Sequence, residues 1–324
     1  MKVDTKNIIK IIGNIVTILA IFFVLKKLIS SDIDYSTLFQ FKNIIPVLII
    51  VIIQSIIVIT NNYPWKKLVE LFSNVSIPFK DSIVVYVKSN LLKYVPGNVF
   101  QYVGRNGLAV KKGIPHIEVA SATLVDVGMT VLSALLISIF FLYDYIFTFI
   151  VKNNYVLYIL LGILAFLVIL AIIFFLFKEK VTSYFSKYAY LLHPRSLKTI
   201  FICLFYYIIV MMISSLMYII TLVYILDVPL DFSLFLKLFS AYTLSWLVGF
   251  ITPGAPAGIG IKEAVMVGVT GGLLNISTIT LSMVILRVLT TISDALAFII
   301  IIFWNKFINK EETTTKTIID GGNQ

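Results

Sequence analysis

Stretches of about 20 residues with almost no charge recur along the chain, at about 8–28, 44–63, 117–143, 155–177, 199–226 and 277–303, and they decide the fold class. A helix rises about 1.5 Å per residue, so about 20 apolar residues cross a hydrocarbon core of about 30 Å. Inside that core every backbone N–H and C=O must be bonded within the protein, which leaves helices and closed barrels. A barrel would show alternating segments of about 10 residues. The sequence has none, and reads as an all-α polytopic membrane protein. Hydrophobic residues make up 60% and charged residues 13% of the 324 positions, against about 45–50% and about 25% in soluble domains. The longest loops are too short to bury a core of their own, so no soluble catalytic domain is expected.

The first run, Ile11 to Leu25, follows Lys2, Lys6 and Lys10 and resembles the start of a signal peptide. The next residues, Lys26-Lys27-Leu28-Ile29, offer no small-residue cleavage site, which predicts a retained span. A single cysteine, Cys203, excludes an intramolecular disulfide. His116 and His193 each adjoin a proline near a span end and carry no HExxH or CxxC spacing, so they read as structural or interfacial rather than as zinc ligands. No metal and no cofactor are expected.

Lysine and arginine remain on the cytoplasmic side of short loops. An inside N-terminus gathers Lys66, Lys67, Lys80, Lys88, Lys93, Lys111 and Lys112, then Lys178, Lys180, Lys187, Arg195 and Lys198, on one side. The tail adds Lys306, Lys310 and Lys316 there, and the outer side keeps Lys26, Lys27, Lys42, Lys152 and Lys237. Both termini are therefore predicted in the cytoplasm. The formal charge of +10 follows from this topology. Basic residues spread over short loops, without a recognition module, argue against nucleic acid as a partner. The polar Thr-rich stretch 311–324 is expected to be a disordered tail on a single membrane domain, 1–310.

Two further stretches, about 81–112 and 233–275, are apolar but broken by proline and glycine. "KYVPGNVFQYVGR" (93–105) contains Pro96 and Gly97; "TPGAPAGIGIKEAVMV" (252–267) contains Pro253, Gly254, Gly258 and Gly260. Each carries a cation nine positions after its first proline, Arg105 and Lys262. The order span, span, broken stretch, span describes 8–143 and again 155–303, entered from opposite sides. The expectation is six full transmembrane helices plus two re-entrant hairpins in an inverted-topology repeat, the arrangement in which paired breaks mark a transporter's substrate site. Proline removes a backbone donor and glycine admits conformations closed to other residues, so the chain can reverse at such a point. The freed backbone groups must then be buried in protein or line a watery cavity. The alternative is an ordinary surface loop at each proline, with Arg105 and Lys262 as solvated charges.

Asp126, Arg287 and Asp294 fall inside apolar runs, where each charge costs at least about 2.5–3.5 kcal/mol near the bilayer centre. Arg287 and Asp294 are seven residues apart, two helical turns along one face, and so can face one cavity. Asp126 has Arg105 or Arg287 as candidate partners, and Glu263 has Lys262 or Arg287. Trp65, Tyr94, Tyr102 and Trp304 read as interface anchors, and Trp246 as a packing residue.

The two broken stretches, with "KKGIPHIEVASATLVDVGMTVL" after the first, resemble the signature regions of the lysylphosphatidylglycerol synthase transmembrane (flippase-like) family over about residues 8–305. That family's second motif reads Pro-Gly-Gly-x-Gly-x-Arg/Lys-Glu, matched by Pro253, Gly254, Gly258, Gly260, Lys262 and Glu263, with Ala255-Pro256-Ala257 inserted. The resemblance implies a membrane domain that moves an aminoacylated phospholipid, such as lysyl-phosphatidylglycerol, between leaflets. The soluble domain that makes this lipid in full-length members has no counterpart here. Three functions stay open: a lipid translocase, a membrane-embedded headgroup transferase, and a non-catalytic partner of a separate lipid-modifying enzyme. In the first, Arg105 and Lys262 receive the phosphate, while Glu263, Asp126 and Asp294, with Arg287 nearby, receive a cationic headgroup or carry protons. A homo-oligomer is compatible with each. No GxxxxGK[ST] loop points to ATP as the driver, and no nucleophile–base pair supports an enzyme.

Overall fold

Isoleucine-rich runs are poor helix formers in water, yet in a bilayer the helix is the conformation that satisfies the backbone locally, and the described runs are helical here. A computed structural model describes residues 40–95, 99–152, 189–252, 256–258 and 260–321. The predicted spans at 8–28 and 155–177 lie outside the described residues. Helices α1 (Ile44–Thr60) and α2 (Asn62–Ser73) form one apolar rod with a joint at Asn61. Pro64 explains the joint, because it has no N–H to offer the Thr60 carbonyl. Next come α3 (Phe79–Asn90), a 3-10 turn at Leu91–Tyr94, and α4 (Phe100–Val110). Then follow α5 (His116–Lys152) and α6 (Pro194–Ile220), the latter continuing through a π-turn to Ile225. Helix α7 (Phe232–Ile251), a 3-10 turn at Pro256–Gly258, α8 (Ile261–Thr270) and α9 (Ile276–Gly321) complete the chain.

The helix starts follow from local chemistry. Asp231 Oδ1 accepts the Leu234 amide at 2.7 Å and caps α7. His193 Nδ1 accepts the Arg195 amide at 3.3 Å, with Pro194 at the first helical position of α6. The backbone of α9 stays helical through Gly321, into the polar stretch expected to be a tail; extending an existing helix is far easier than starting one.

Among the described residues, five helical stretches are long and apolar enough to cross a membrane: Phe41–Ser73, His116–Phe140, Pro194–Ile225, Phe232–Ile251 and Ile276–Phe307. Four coincide with predicted runs. The fifth, α7, comes from the second broken stretch, which therefore differs from the expected pair of short helices. Its twenty residues contain one charge, Lys237, whereas the corresponding arm α3 carries Lys80, Asp81 and Lys88 in twelve. The two broken stretches are thus unequal: short helix, break, short helix in the first, and full-length helix, break, short helix in the second.

The main core joins α1, α6, α7 and α9, with Ile50, Tyr218, Leu238 and Leu289 among its most buried side chains. Small polar residues bring helices close: Ser55 Oγ reaches the Ser293 carbonyl at 3.1 Å, and Ser215 and Thr243 share a hydrogen bond of 2.7 Å. Tyr218 stacks on Tyr242 with centroids 5.1 Å apart. A second core, around Trp65, Leu68 and Val119, joins α2 to α5. Large side chains such as Phe201, Phe205 and Phe303 point outward. That surface suits acyl chains, the reverse of a water-soluble bundle.

Candidate functional site: a charged cavity between two helix breaks

Both breaks meet inside the bundle. The Leu91–Tyr94 turn packs against the Pro256–Gly258 turn, and α9 runs past the first turn and against α8. Between them and α1, α5 and α6 lies a cavity of about 840 Å³. All six charged residues singled out in the sequence line it: Arg105, Asp126, Lys262, Glu263, Arg287 and Asp294. Lys93 lines it too. Pro96, Gly97, Pro253 and Gly254 lie outside the described residues. Gly258 and Gly260 belong to the second break, with φ of 72° and 83°, a region that disfavours any side chain.

The pairing divides the wall into three clusters. Arg105, 2% exposed, donates from Nη1 to Asp126 Oδ2 at 3.4 Å and from Nε to Ser89 Oγ at 3.3 Å. Its guanidinium lies 3.8 Å from the Tyr86 ring centroid and 5.7 Å from that of Trp65. Tyr207 donates its hydroxyl to the other oxygen of Asp126. A buried arginine held by one carboxylate and flat aromatic faces is charge-matched in place. Of the two partners open to Asp126, the structure gives Arg105.

Asp294, 2% exposed on α9, gathers the first break. It pairs with Lys93 Nζ at 2.7 Å, accepts from Asn90 Nδ2 at 2.8 Å, and accepts the Tyr94 hydroxyl. All three donors sit where α3 gives way to the 3-10 turn, so one intramembrane carboxylate fastens that turn to α9. Two turns earlier on the same helix, Arg287 pairs with Glu263. Glu263 Oε2 also accepts the Gly260 amide at 2.8 Å, holding the start of α8. Two opposite charges on α9 thereby clamp the two breaks. Of the partners open to Glu263, the structure gives Arg287.

Lys262 differs from the other cavity cations. Lys93, Arg105 and Arg287 each form an ion pair with a carboxylate, while Lys262, among the described residues, forms none. Its ammonium lies 5.7 Å from the Trp246 ring centroid, and Trp246 stacks on Phe250 at 4.8 Å. It stands on α8, whose ten residues are too few to cross a membrane. Burial, then the Arg287 and Lys93 charges, pull this ammonium down to about 7, against Glu263 and Asp294, which act the other way.

Several residues depart from their sequence reading. Trp65, read as an interface anchor, is fully buried and donates to Thr123 Oγ1 at 3.3 Å. Tyr94 and Tyr102, read the same way, line the cavity. Trp246 forms part of the lysine's seat as well as packing. Lys93, counted as a loop cation, is the partner of Asp294. Its place three residues before Pro96, at the break in an apolar stretch, was the available signal, since a charge carried into an apolar environment needs a partner. Among the described residues, no three His, Cys, Asp or Glu side chains are grouped to hold a metal. No family model, curated protein or solved structure matches the chain.

Proposed function

We propose that the protein moves a phospholipid between the leaflets of a prokaryotic plasma membrane, with the headgroup passing through the cavity and the acyl chains remaining outside in lipid. The observation that carries this reading is the cavity itself. It holds four cations and three carboxylates among helices long and apolar enough to cross a membrane, and is walled by two helix breaks. Charges so placed are costly, and a water-filled path for a charged substrate accounts for them. A volume of about 840 Å³ accommodates a headgroup, since small-molecule sites run to about 300–1,000 Å³. The excess of one cation favours an anionic or aminoacylated phospholipid, of which lysyl-phosphatidylglycerol is the example suggested by the sequence resemblance. The two breaks serve as inner and outer gates related by an inverted repeat, with both termini cytoplasmic.

The test is leaflet exchange of fluorescent phosphatidylglycerol in liposomes containing the purified protein. Wild type is expected to expose inner-leaflet label to an external quencher. Ser214→Trp, which fills part of the cavity wall, is expected to abolish that exposure. A wild type no faster than empty liposomes sinks the proposal.

A further inference from the structure

Lysine side chains are flexible, and an ammonium without a carboxylate partner ordinarily swings toward water. The stem of Lys262 is instead held between two glycines from different elements. A methyl group built on Gly249, in the last turn of α7, would stand 2.5 Å from Lys262 Cγ and 3.1 Å from Cε. One built on Gly258 would stand 2.8 Å from Lys262 Cε and 2.9 Å from the Gly249 carbonyl oxygen. The stem therefore threads a slot with backbone on both sides, which no side chain larger than hydrogen leaves open. Trp246, from the same end of α7, forms the face beneath the ammonium, and Phe250 stacks on Trp246.

We infer that Gly249 and Gly258 hold Lys262, the cavity cation without an ion-pair partner among the described residues, as an anion seat, and that its ligand is a phosphate group. Arg105, the matching cation of the first break, is already neutralised by Asp126 and has a positioning role. The aromatic face beneath Lys262 gives a weaker attraction than a carboxylate and leaves the ammonium's donors available. Lys262 is the second residue of α8, so the helix N-terminus adds partial positive charge at the same point. Arg287 and Lys93 lie near enough to disfavour its charge, and a bound anion relieves that repulsion. The phosphodiester of a phospholipid carries one negative charge shared over two free oxygens, which matches the single excess cation once Lys93 is paired with Asp294 and Arg287 with Glu263.

The identity of the ligand as a lipid headgroup rests on the translocation reading, while the seat itself does not, and the experiment separates the two. Purified protein in a maltoside detergent, which contains no phosphate, is titrated calorimetrically with short-chain phosphatidylglycerol and, separately, with glycerol 1-phosphate. Wild type is expected to bind the lipid. Lys262→Gln is expected to weaken binding at least tenfold, and Gly249→Ala by a similar factor. The double variant is expected to be no weaker than Lys262→Gln alone, because Gly249 acts through the lysine. Alanine is a better helix former than glycine, so a merely structural role for position 249 would not reproduce this pattern.

Binding of both probes, or of the lipid alone, supports the seat and identifies which source fills it. Unchanged affinity in Lys262→Gln overturns the seat, and a Gly249→Ala effect that persists in the Lys262→Gln background overturns the slot. Binding through Lys262 without leaflet exchange defeats translocation and leaves the seat standing. Exchange by wild type with Lys262→Gln binding normally does the opposite.

Discussion

Asp294→Asn changes one atom type and removes one charge at the point where the first break joins α9. The carboxylate receives Lys93 and Tyr94 on Oδ2 and the Asn90 amide on Oδ1. An asparagine must place an NH₂ group on one of these sides, where it meets donors. Tyr94 has an alternative acceptor in Thr291 Oγ1 at 3.3 Å, so its loss is partial. Lys93 is 26% exposed to the cavity, so its stranded charge is partly solvated and falls short of the full cost of breaking a buried pair. A lost charge-assisted hydrogen bond costs about 1.5–3 kcal/mol, and the total here is about 2–3 kcal/mol. At about 1.4 kcal/mol per factor of ten, the turn at Leu91–Tyr94 opens roughly 30- to 150-fold more often. The assay is maleimide labelling of a cysteine placed at Val95, next to the turn; the native Cys203 is fully buried. A labelling rate within threefold of that in the Asp294 parent would refute the clamp.

Asp126→Ala leaves the Arg105 guanidinium buried without its carboxylate and is expected to destabilise by about 3–5 kcal/mol. Thermal unfolding in detergent checks this, and the double change Arg105→Met with Asp126→Leu should recover most of the loss. Gly258→Ala imposes a φ of 72° on a residue with a side chain, at about 1–2 kcal/mol, and also pushes on Lys262. It should lower phosphatidylglycerol affinity with little change in the melting profile of α9, read by hydrogen exchange. Phosphatidylglycerol affinity should also depend on pH. The unliganded Lys262 ammonium titrates near about 7 amid Lys93, Arg287, Glu263 and Asp294. Above that pH the lysine must gain a proton on binding, so affinity falls by up to tenfold per unit. A flat profile from pH 6 to 9 (chosen to span the transition) contradicts the assignment.

Four spans and six of the seven charged residues lining the cavity, all but Lys93, were legible in the sequence because hydrophobic length and the cost of a buried charge are properties of single segments. Arg287 and Asp294 illustrate the reach of that reasoning: helical periodicity puts them on one face. It says nothing of what each meets, because Lys93 and Glu263 arrive from distant parts of the chain. Trp65 and Tyr94 show the opposite failure. An aromatic ring near a segment end is an interface anchor by default, and the packing of α2 into the second core and the 3-10 turn carry these two inward instead. Gly249 gave no signal at all, since its value lies in the absence of atoms beside a lysine thirteen residues later. The length of α7 was missed because the glycines and prolines of 252–260 obscured the uninterrupted apolar run before them.

The most direct measurement is photo-crosslinking with phosphatidylglycerol carrying a diazirine on its headgroup glycerol, in membranes containing the full chain, with adducts mapped by mass spectrometry. Headgroup passage between the breaks predicts adducts on cavity residues such as Gln54, Thr130 and Thr291. Adducts confined to outward-facing residues such as Phe201, Phe205 and Phe303 would contradict it.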